Sequence, residues 1–373
     1  MIPPSTRLYL LIEMAGFGYR PEHKYPTCMK LYMIFMMITY AINWCIIIVA
    51  LYYEEDNFNT KAELIHYLLE SVIATVKYLN FLLRFKEVRG LMKFVDEVRE
   101  SCRSDPNNQS FIEESEKSES KALKNCFIVA ITVPIIFCTS SSLVYMISGL
   151  KKLPFLYWVP FDSQRYFWFA LAFQLIIYST AFKVYLGSFG FNILLVMVIT
   201  SYMKVLQRLL TTKYGETAKR RSAYILHQNI NRLVFLTNEF LSGQFLFEIS
   251  FSAIKLSLRI FAFIKVFSTR KQDVFVSFGI LIFSMSSPVA ISIIGEMIKS
   301  ESEKIFAAAY DNVWYEEKEE KTKKELLLVL KASLRPHSLH YRRLTSFNME
   351  TFGELLQASY SYLTMLLQFS EIN

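Results

Sequence analysis

The chain has 373 residues, of which 53% are hydrophobic and 20% are charged, and its formal net charge is +8. Ordinary soluble domains carry roughly 25% charged and 45–50% apolar residues, so these averages alone do not decide the class. The uncharged residues, however, fall in blocks too long for a globular core, which excludes an ordinary soluble multidomain protein.

Seven blocks are predicted to cross a membrane, because a helix needs about 20 mainly apolar residues to span the roughly 30 Å hydrocarbon layer. The block at 166–203 is interrupted only by Lys183, which leaves open one long helix or a broken pair. The blocks at 64–83, 240–267 and 349–369 are weaker candidates. In chain order the predicted spans are residues 31–53, 64–83, 125–150, 166–203, 240–267, 274–295 and 349–369.

Lysines and arginines set the predicted orientation. With a cytoplasmic N-terminus, 30 of the 41 lie in inside segments, 6 in outside loops and 5 within spans. Cytoplasmic loops retain positive charge, so this ratio predicts a cytoplasmic N-terminus and an extracellular C-terminus. A G-protein-coupled receptor would reverse the ratio. Residues 1–30 do not resemble a signal peptide, so the first span is expected to act as the targeting signal.

The sequence contains few signals for nucleic-acid binding, metal binding or catalysis. The basic residues are spread over the inside segments, where membrane lipid with anionic headgroups is their predicted partner. They form no basic stripe with interleaved aromatics, so no nucleic-acid partner is expected. The five cysteines lack metal-ligand spacing, and no glycine-rich phosphate loop is complete. The sequence therefore predicts no enzyme activity, no catalytic residue, no metal and no cofactor.

Two predicted spans carry charged residues on one helix face. Glu70 and Lys77 are seven residues apart, and Glu248, Lys255 and Arg259 are spaced by seven and four. Charges in hydrocarbon are costly, so both faces should turn toward protein or water. Three interpretations remain open: interhelical ion pairs that fix packing, a helix end that lies outside the hydrocarbon, and a functional face.

The last predicted span carries a continuous polar stripe. Residues three and four apart share a helix face. Such a stripe either bonds to neighbouring helices or borders water, and spacing alone favours neither. If it lines water, several copies must surround one axis, as in a channel. The stripe consists of Glu350, Glu354, Gln357, Ser361, Thr364 and Gln368.

Helical patterning continues outside the spans. Residues 300–314 and 323–333 are predicted helices, and Arg335-Pro336 stops the second. Together with 203–246 they predict a cytoplasmic helical region where subunits pack on one another. The predicted division is an N-terminal segment 1–30, spans one to four 31–202, cytoplasmic helices 203–246, spans five and six 247–298, cytoplasmic helices 299–344 and the seventh span with the C-terminus 345–373.

A series of short motifs runs through the C-terminal part of the chain: Gly295-Glu296, Ser302-Glu303, Ala307–Tyr310, Trp314-Tyr315, Leu326–Leu330, Arg335-Pro336, Phe347, Thr351-Phe352 and Ala358–Ser361. This series resembles the C-terminal signature of insect odorant receptors, and residues 153–162 resemble that family's second extracellular loop. The ending Ser361-Tyr362, five residues, then Gln368-Phe369 is also similar to that of insect gustatory receptors, which stay an alternative. The long insertion of the family's co-receptor has no counterpart between residues 203 and 246, so the chain resembles a ligand-tuning subunit.

The resemblance implies an all-α, seven-transmembrane-helix subunit of a ligand-gated, non-selective cation channel, in a heterotetramer with the odorant receptor co-receptor. It implies location in the plasma membrane of olfactory sensory neurons and a small volatile odorant as ligand. Residues 363–367 would include the apolar constriction. The implied pore-lining residues are Gln357, Ser361, Thr364, Met365 and Gln368. The implied odorant-binding residues are Tyr67, Ser71, Ala74, Tyr78, Ser141, Val144, Tyr145, Phe169, Phe173, Phe275 and Phe278.

Overall fold

The protein is represented by a computed structural model that describes residues 3–20, 25–53, 58–103, 106–149, 151, 153, 158–211, 217–269, 274–311, 320–342 and 344–372. Within these residues it is helical apart from one short hairpin. The helices are α1 Pro4–Ala15, α2 Pro26–Tyr53, α3 Phe58–Leu83, α4 Phe85–Arg103, α5 Pro106–Ser148, α6 Phe167–Thr211, α7 Thr217–Thr269, α8 Val274–Asp311, α9 Glu320–Ser333 and α10 Met349–Ile372. The antiparallel hairpin pairs β1 His340–Tyr341 with β2 Thr345–Ser346.

Seven long helices occupy the predicted spans: α2, α3, α5, α6, α7, α8 and α10. The all-α prediction is therefore confirmed, and residues 167–203 belong to one long helix rather than a broken pair. By length and apolarity alone, three helices in the described chain suffice to cross a membrane: Pro26–Tyr53, Phe167–Thr211 and Ser277–Asp311. The others include helices that carry the charged or polar residues noted above. The predicted boundaries at 203 and 247 fall inside α6 and α7, which continue well past them.

Helix α6 is the central element of the bundle, packed against α8, α5 and α1. Its contact with α1 is close because α6 presents a glycine there. A Cβ added to Gly187 would lie 2.5 Å from the Cβ of Ala15 and 2.9 Å from the carbonyl oxygen of Leu11. Helix α1 ends at Gly16, which takes the left-handed conformation that favours glycine, with φ at 72°. The N-terminal helix is thus part of the core.

Buried ion pairs hold α1 and α4 onto α5. Arg7 of α1 lies 2.5 Å from a carboxylate oxygen of Glu119, and Arg99 of α4 lies 2.5 Å from Glu116. Burial raises the pKa of Glu119 to about 7, although the Arg7 guanidinium opposes this shift. We call the end of the bundle where α4 and α9 lie the lower end. These ion pairs join the N-terminal helix to it.

The chain between α9 and α10 folds back onto α8 and α7. A Cβ added to Gly295 of α8 would overlap the carbonyl oxygen of Phe347, at 1.6 Å. The backbone N–H of His337 donates to Ser302 Oγ at 2.8 Å. Asn348 then caps α10, because its side-chain oxygen accepts from the N–H of Thr351 at 3.0 Å. These contacts fix where α10 begins.

Candidate functional site

A small cavity lies among α2, α3, α6 and α8 within the helical bundle. Its free volume is about 70 Å³, and aromatic rings form much of its wall. Phe182 stacks on Tyr178, with ring centroids 5.8 Å apart, and packs against Phe283 at 5.2 Å. The lining residues are Tyr40, Asn43, His66, Tyr67, Glu70, Ser71, Ala74, Tyr178, Ala181, Phe182, Tyr185, Ile280 and Phe283.

Three of the predicted odorant-binding residues line this cavity: Tyr67, Ser71 and Ala74 of α3. The remaining one on α3, Tyr78, is buried further along the helix. Its ring centroid lies 5.4 Å from that of Phe17. The spacing on α3 thus brings one helix face to the cavity over roughly two turns.

The predicted residues on the other helices lie elsewhere. Phe169 is exposed and, with Phe173, contacts Phe161. Tyr145 packs on Phe167 and Trp168. Phe278 is 48% exposed and contacts Phe263. The side chains of Ser141, Val144 and Phe275 lie outside the described residues. The role of all these residues in binding stays a prediction.

Sequence reasoning did not single out the contributions of α2 and the middle of α6. On α6 the lining residues recur at steps of three and four, which is the spacing of one helix face. That signal is present in the sequence, but the long α6 carries several equally apolar faces, so periodicity alone does not identify the one that meets a cavity. The lining residues of α6 are Tyr178, Ala181, Phe182 and Tyr185.

The charged faces of α3 and α7 pair across the bundle. Lys77 Nζ lies 2.8 Å from Glu248, Lys255 Nζ lies 3.0 Å from Glu70, and Arg259 lies 3.2 Å from Glu63. The pairs run in opposite sequence order on the two helices, as antiparallel packing requires. The interhelical ion-pair interpretation is therefore confirmed for these helices. We call these three pairs the α3–α7 ladder.

Hydrogen bonds extend the α3–α7 ladder to α8. Arg259 donates to the carbonyl oxygen of Ser277 at 2.9 Å and to its hydroxyl at 2.7 Å. The His66 ring contacts the carbonyl oxygen of Lys255 at 3.3 Å and the Ser284 hydroxyl at 3.2 Å. Because Glu70 and His66 also line the cavity, the ladder forms part of its wall.

Helix α10 packs on α7 mainly through apolar side chains. Leu363, Leu366 and Leu367 contact the cluster of Leu258 and Phe261 on α7. Three leucines of the predicted constriction at 363–367 therefore face the chain's own bundle. Gln357, Ser361, Met365 and Gln368 are exposed, and Thr364 is half-buried. The polar stripe thus points away from the single chain.

Two histidines meet outside the predicted spans, at the lower end. Burial lowers the pKa of His227 to about 4, and the nearby His337 adds to this shift. Burial also lowers the pKa of His337, whose Nε2 lies 2.7 Å from the Asn231 side-chain oxygen. Both histidines are therefore neutral near pH 7.

A helical bundle with long apolar helices is the architecture of a multi-pass membrane protein. The chain belongs to the 7tm Odorant receptor family, whose model matches residues 57–360. This confirms the resemblance to odorant receptors rather than the gustatory alternative. No curated protein sequence matches the chain significantly.

Solved structures share this fold at low sequence identity. The chain is similar to the insect olfactory receptor OR5 from Machilis hrabei in complex with eugenol, with a TM-score of 0.83 and 13% identity over 98% of this chain and 97% of that one. A second structure of that receptor gives a TM-score of 0.77 and 12% identity, with the same coverage. The likeness extends over nearly the whole of both chains and establishes the fold.

Proposed function

We propose that the chain is the odorant-binding subunit of a ligand-gated, non-selective cation channel. The observation that carries this proposal is the orientation of α10. Its leucines pack on α7, while its polar stripe is exposed on the single chain. An exposed polar stripe on a membrane-crossing helix needs water or further subunits beside it. Several copies of α10 around one axis would satisfy it and enclose a pore.

In this proposal the subunit assembles with the odorant receptor co-receptor as a heterotetramer in the plasma membrane of olfactory sensory neurons. Its N-terminus is cytoplasmic, since the charge ratio places the lower end on that side. The pore-lining residues are Gln357, Ser361, Thr364, Met365 and Gln368. Cations pass along these residues.

The cavity among α2, α3, α6 and α8 is the proposed odorant site. Its aromatic wall suits a small, largely apolar ligand whose affinity comes from burial, at about 25 cal/mol per Å² of apolar surface. The similar receptor from Machilis hrabei was solved in complex with eugenol, a compact volatile of this kind. The free volume of about 70 Å³ favours compact ligands over long chains.

Helix α7 is the proposed connection between cavity and pore. Lys255 pairs with Glu70 in the cavity wall, and the adjacent Leu256 packs in a cluster with Leu355 of α10. A ligand that displaces Glu70 would therefore change the contacts of α7, the helix on which α10 packs. Such a ligand shifts the equilibrium between closed and open channel by its difference in affinity for the two states.

Whole-cell recording tests the proposal. Odorant-evoked current should appear when this chain and the co-receptor are expressed together, and should persist when G-protein signalling is blocked. Current that survives without the co-receptor but vanishes with the G-protein block would contradict the channel assignment.

Two phenylalanines on α8 test the site itself. Phe283 lines the cavity, whereas Phe278 is exposed beside Phe263. Phe283→Ala should shift odorant potency, and the matched Phe278→Ala should leave it unchanged. The opposite result would place the ligand on the outer wall that the family resemblance implied.

A further inference from the structure

Two uncharged polar groups in the wall of the cavity, the Asn43 side-chain oxygen and the Tyr185 hydroxyl, have no hydrogen-bond partner among the described residues. Asn43 is 1% exposed and lines the cavity. Its amide Nδ2 donates to Ser71 Oγ at 3.2 Å. Among the described residues, none donates a hydrogen bond to its carbonyl oxygen, Oδ1. A buried acceptor left without a donor costs about 1–3 kcal/mol.

Nearby donors are already committed to other acceptors. The Tyr40 hydroxyl donates to the carbonyl oxygen of Ser71 at 2.7 Å, and the Thr75 hydroxyl donates to the same oxygen at 2.7 Å. The indole N–H of Trp44 donates to Thr75 Oγ1 at 3.0 Å. None of these three groups is available to Asn43 without breaking a bond it already makes, so the hydroxyl group of a bound molecule would supply the donor that Asn43 Oδ1 lacks.

Other polar residues of the wall have partners. Both ring nitrogens of His66 have partners, and the Tyr67 hydroxyl donates to Glu63 at 3.1 Å. The Tyr185 hydroxyl, in contrast, is buried without a hydrogen-bond partner among the described residues. The cavity therefore offers a ligand the acceptor Asn43 Oδ1 and the Tyr185 hydroxyl within a mainly aromatic wall. A ligand hydroxyl group can bond to both, whereas an ether oxygen can only accept from Tyr185.

The charge of the wall argues against an ionic ligand. Glu70 is the charged residue that lines the cavity, and Lys255 lies 3.0 Å from it. The α3–α7 ladder as a whole contains three carboxylates and three cations, so its formal charges cancel. Neither an ammonium nor a carboxylate ligand gains from net opposite charge here, which leaves a neutral donor.

We propose that this cavity selects neutral, hydroxyl-bearing volatiles, either alcohols or phenols, whose O–H donates to Asn43 Oδ1. This inference rests on the proposed odorant site and narrows its ligand class. An ether of the same carbon skeleton buries the same apolar surface but has no proton to donate. It would displace any water at Asn43 without replacing that water's hydrogen bond.

Matched pairs of compounds test the selection in cells that co-express this chain and the co-receptor. The probes are benzyl alcohol against benzyl methyl ether, and 4-ethylphenol against its methyl ether. One neutral hydrogen bond of about 1 kcal/mol predicts half-maximal concentrations about fivefold lower for the hydroxyl compounds. Equal potency within both pairs, or activation by the ethers alone, would overturn the inference.

Variants of Asn43 locate the effect. Asn43→Leu keeps a similar size but removes the acceptor, so it should weaken the hydroxyl compounds about fivefold and leave the ethers unchanged. Asn43→Gln retains an uncharged acceptor oxygen and should keep the preference. Equal weakening of both members of a pair by Asn43→Leu would contradict the inference. If a variant fails to reach the cell surface, the comparison of hydroxyl compounds with ethers on the wild-type receptor still decides the question.

Failure of the broader proposal gives a different result. If surface labelling shows both subunits and a wide panel of volatiles, with and without hydroxyls, evokes no current, the odorant-gated channel itself is refuted. If currents occur but do not depend on the hydroxyl group, only the assignment of ligand class fails.

Discussion

The α3–α7 ladder and the stripe on α10 are both polar faces on membrane-crossing helices, yet they are satisfied in opposite ways. In the ladder, Lys77, Lys255 and Arg259 are buried and each has a carboxylate partner within the same chain. On α10, Gln357 and Ser361 are exposed on the single chain. The charged groups of the ladder are all paired within the subunit, whereas the exposed stripe of α10 requires water or another subunit beside it.

The difference follows from charge. A full charge in hydrocarbon costs several kcal/mol, so ionised groups must find partners inside the folding unit itself. Uncharged hydroxyls and amides are less costly to place in hydrocarbon, so their hydrogen-bond partners can be a neighbouring subunit's helix or water. Ionic faces therefore indicate packing within a chain, whereas the uncharged part of the α10 stripe, from Gln357 to Gln368, indicates assembly or a conduit. The two charged members of the stripe, Glu350 and Glu354, lie near the beginning of α10.

Breaking one ladder pair should give the largest effect. Glu248→Leu leaves the Lys77 ammonium buried without a carboxylate and should lower the free energy of unfolding by about 3–5 kcal/mol. The loss is measured as reduced thermal stability of the purified receptor in detergent. Adding Lys77→Met to this variant removes the orphaned charge and should restore most of the stability. A double variant no more stable than the single one would show that packing, not charge pairing, is at work.

The second-largest effect on stability is expected from disturbing the contact that fixes the beginning of α10. Gly295→Ala places a Cβ 1.6 Å from the Phe347 carbonyl oxygen, which forces the chain before α10 to move. Overpacking of this kind costs about 1–3 kcal/mol. The matched control is Gly243→Ala on α7, where nothing lies within 4 Å of the added Cβ. That change should be neutral or stabilising by up to about 1 kcal/mol, since alanine favours helix. Equal melting temperatures for the two variants would contradict the close contact.

Acidification should have a smaller effect, confined to the lower end. His227 has an unfolded pKa near 6.5 and a folded pKa lowered to about 4, so the unfolded chain binds more protons between these values. The stability contributed by neutral His227 is thus fully present above pH 6.5 and is lost as the pH falls toward 4. Going from about pH 7.5 to about pH 5.5 should reduce the His227 contribution by about 1 kcal/mol, whereas Glu119, with a pKa raised to about 7, changes stability in the opposite sense. The His227 contribution is therefore measured as the difference between the wild type and His227→Gln, which should change by about 1 kcal/mol over this range. A difference that does not change with pH would rule the histidine out.

The smallest effect on stability is expected on the α10 stripe, together with a clear effect on current. Ser361 and Ser359 both donate to the carbonyl oxygen four residues before them, at 3.1 and 2.8 Å, but Ser361 is exposed and Ser359 is buried. Ser361→Cys should change the unfolding free energy by less than about 0.5 kcal/mol. A thiol reagent should then block its current and spare Ser359→Cys and the wild type. Block of Ser359→Cys alone would place the pore on the other face.

The sequence predicted the charged faces and the polar stripe because both rest on helical periodicity, which is local. Glu70 with Lys77 and Lys255 with Arg259 share faces by spacing alone. Their partners across the bundle could not be predicted in this way, because pairing depends on the antiparallel alignment of α3 and α7. The same holds for the cavity: Tyr67 and Ser71 were predicted, but Asn43 and Phe283 come from helices whose relative register is not encoded in any single segment.

By itself the sequence determined the all-helical membrane class, the positions of the seven long helices and the polar face of α10, since hydrophobic block length and periodicity follow from the chain's local geometry. Only the tertiary structure decided that the charges of α3 and α7 neutralise one another, that α1 packs in the core beside Gly187, and that Asn43 retains a buried acceptor. The physical reason is that partnership, burial and hydrogen-bond satisfaction are set by distances between residues far apart in the chain.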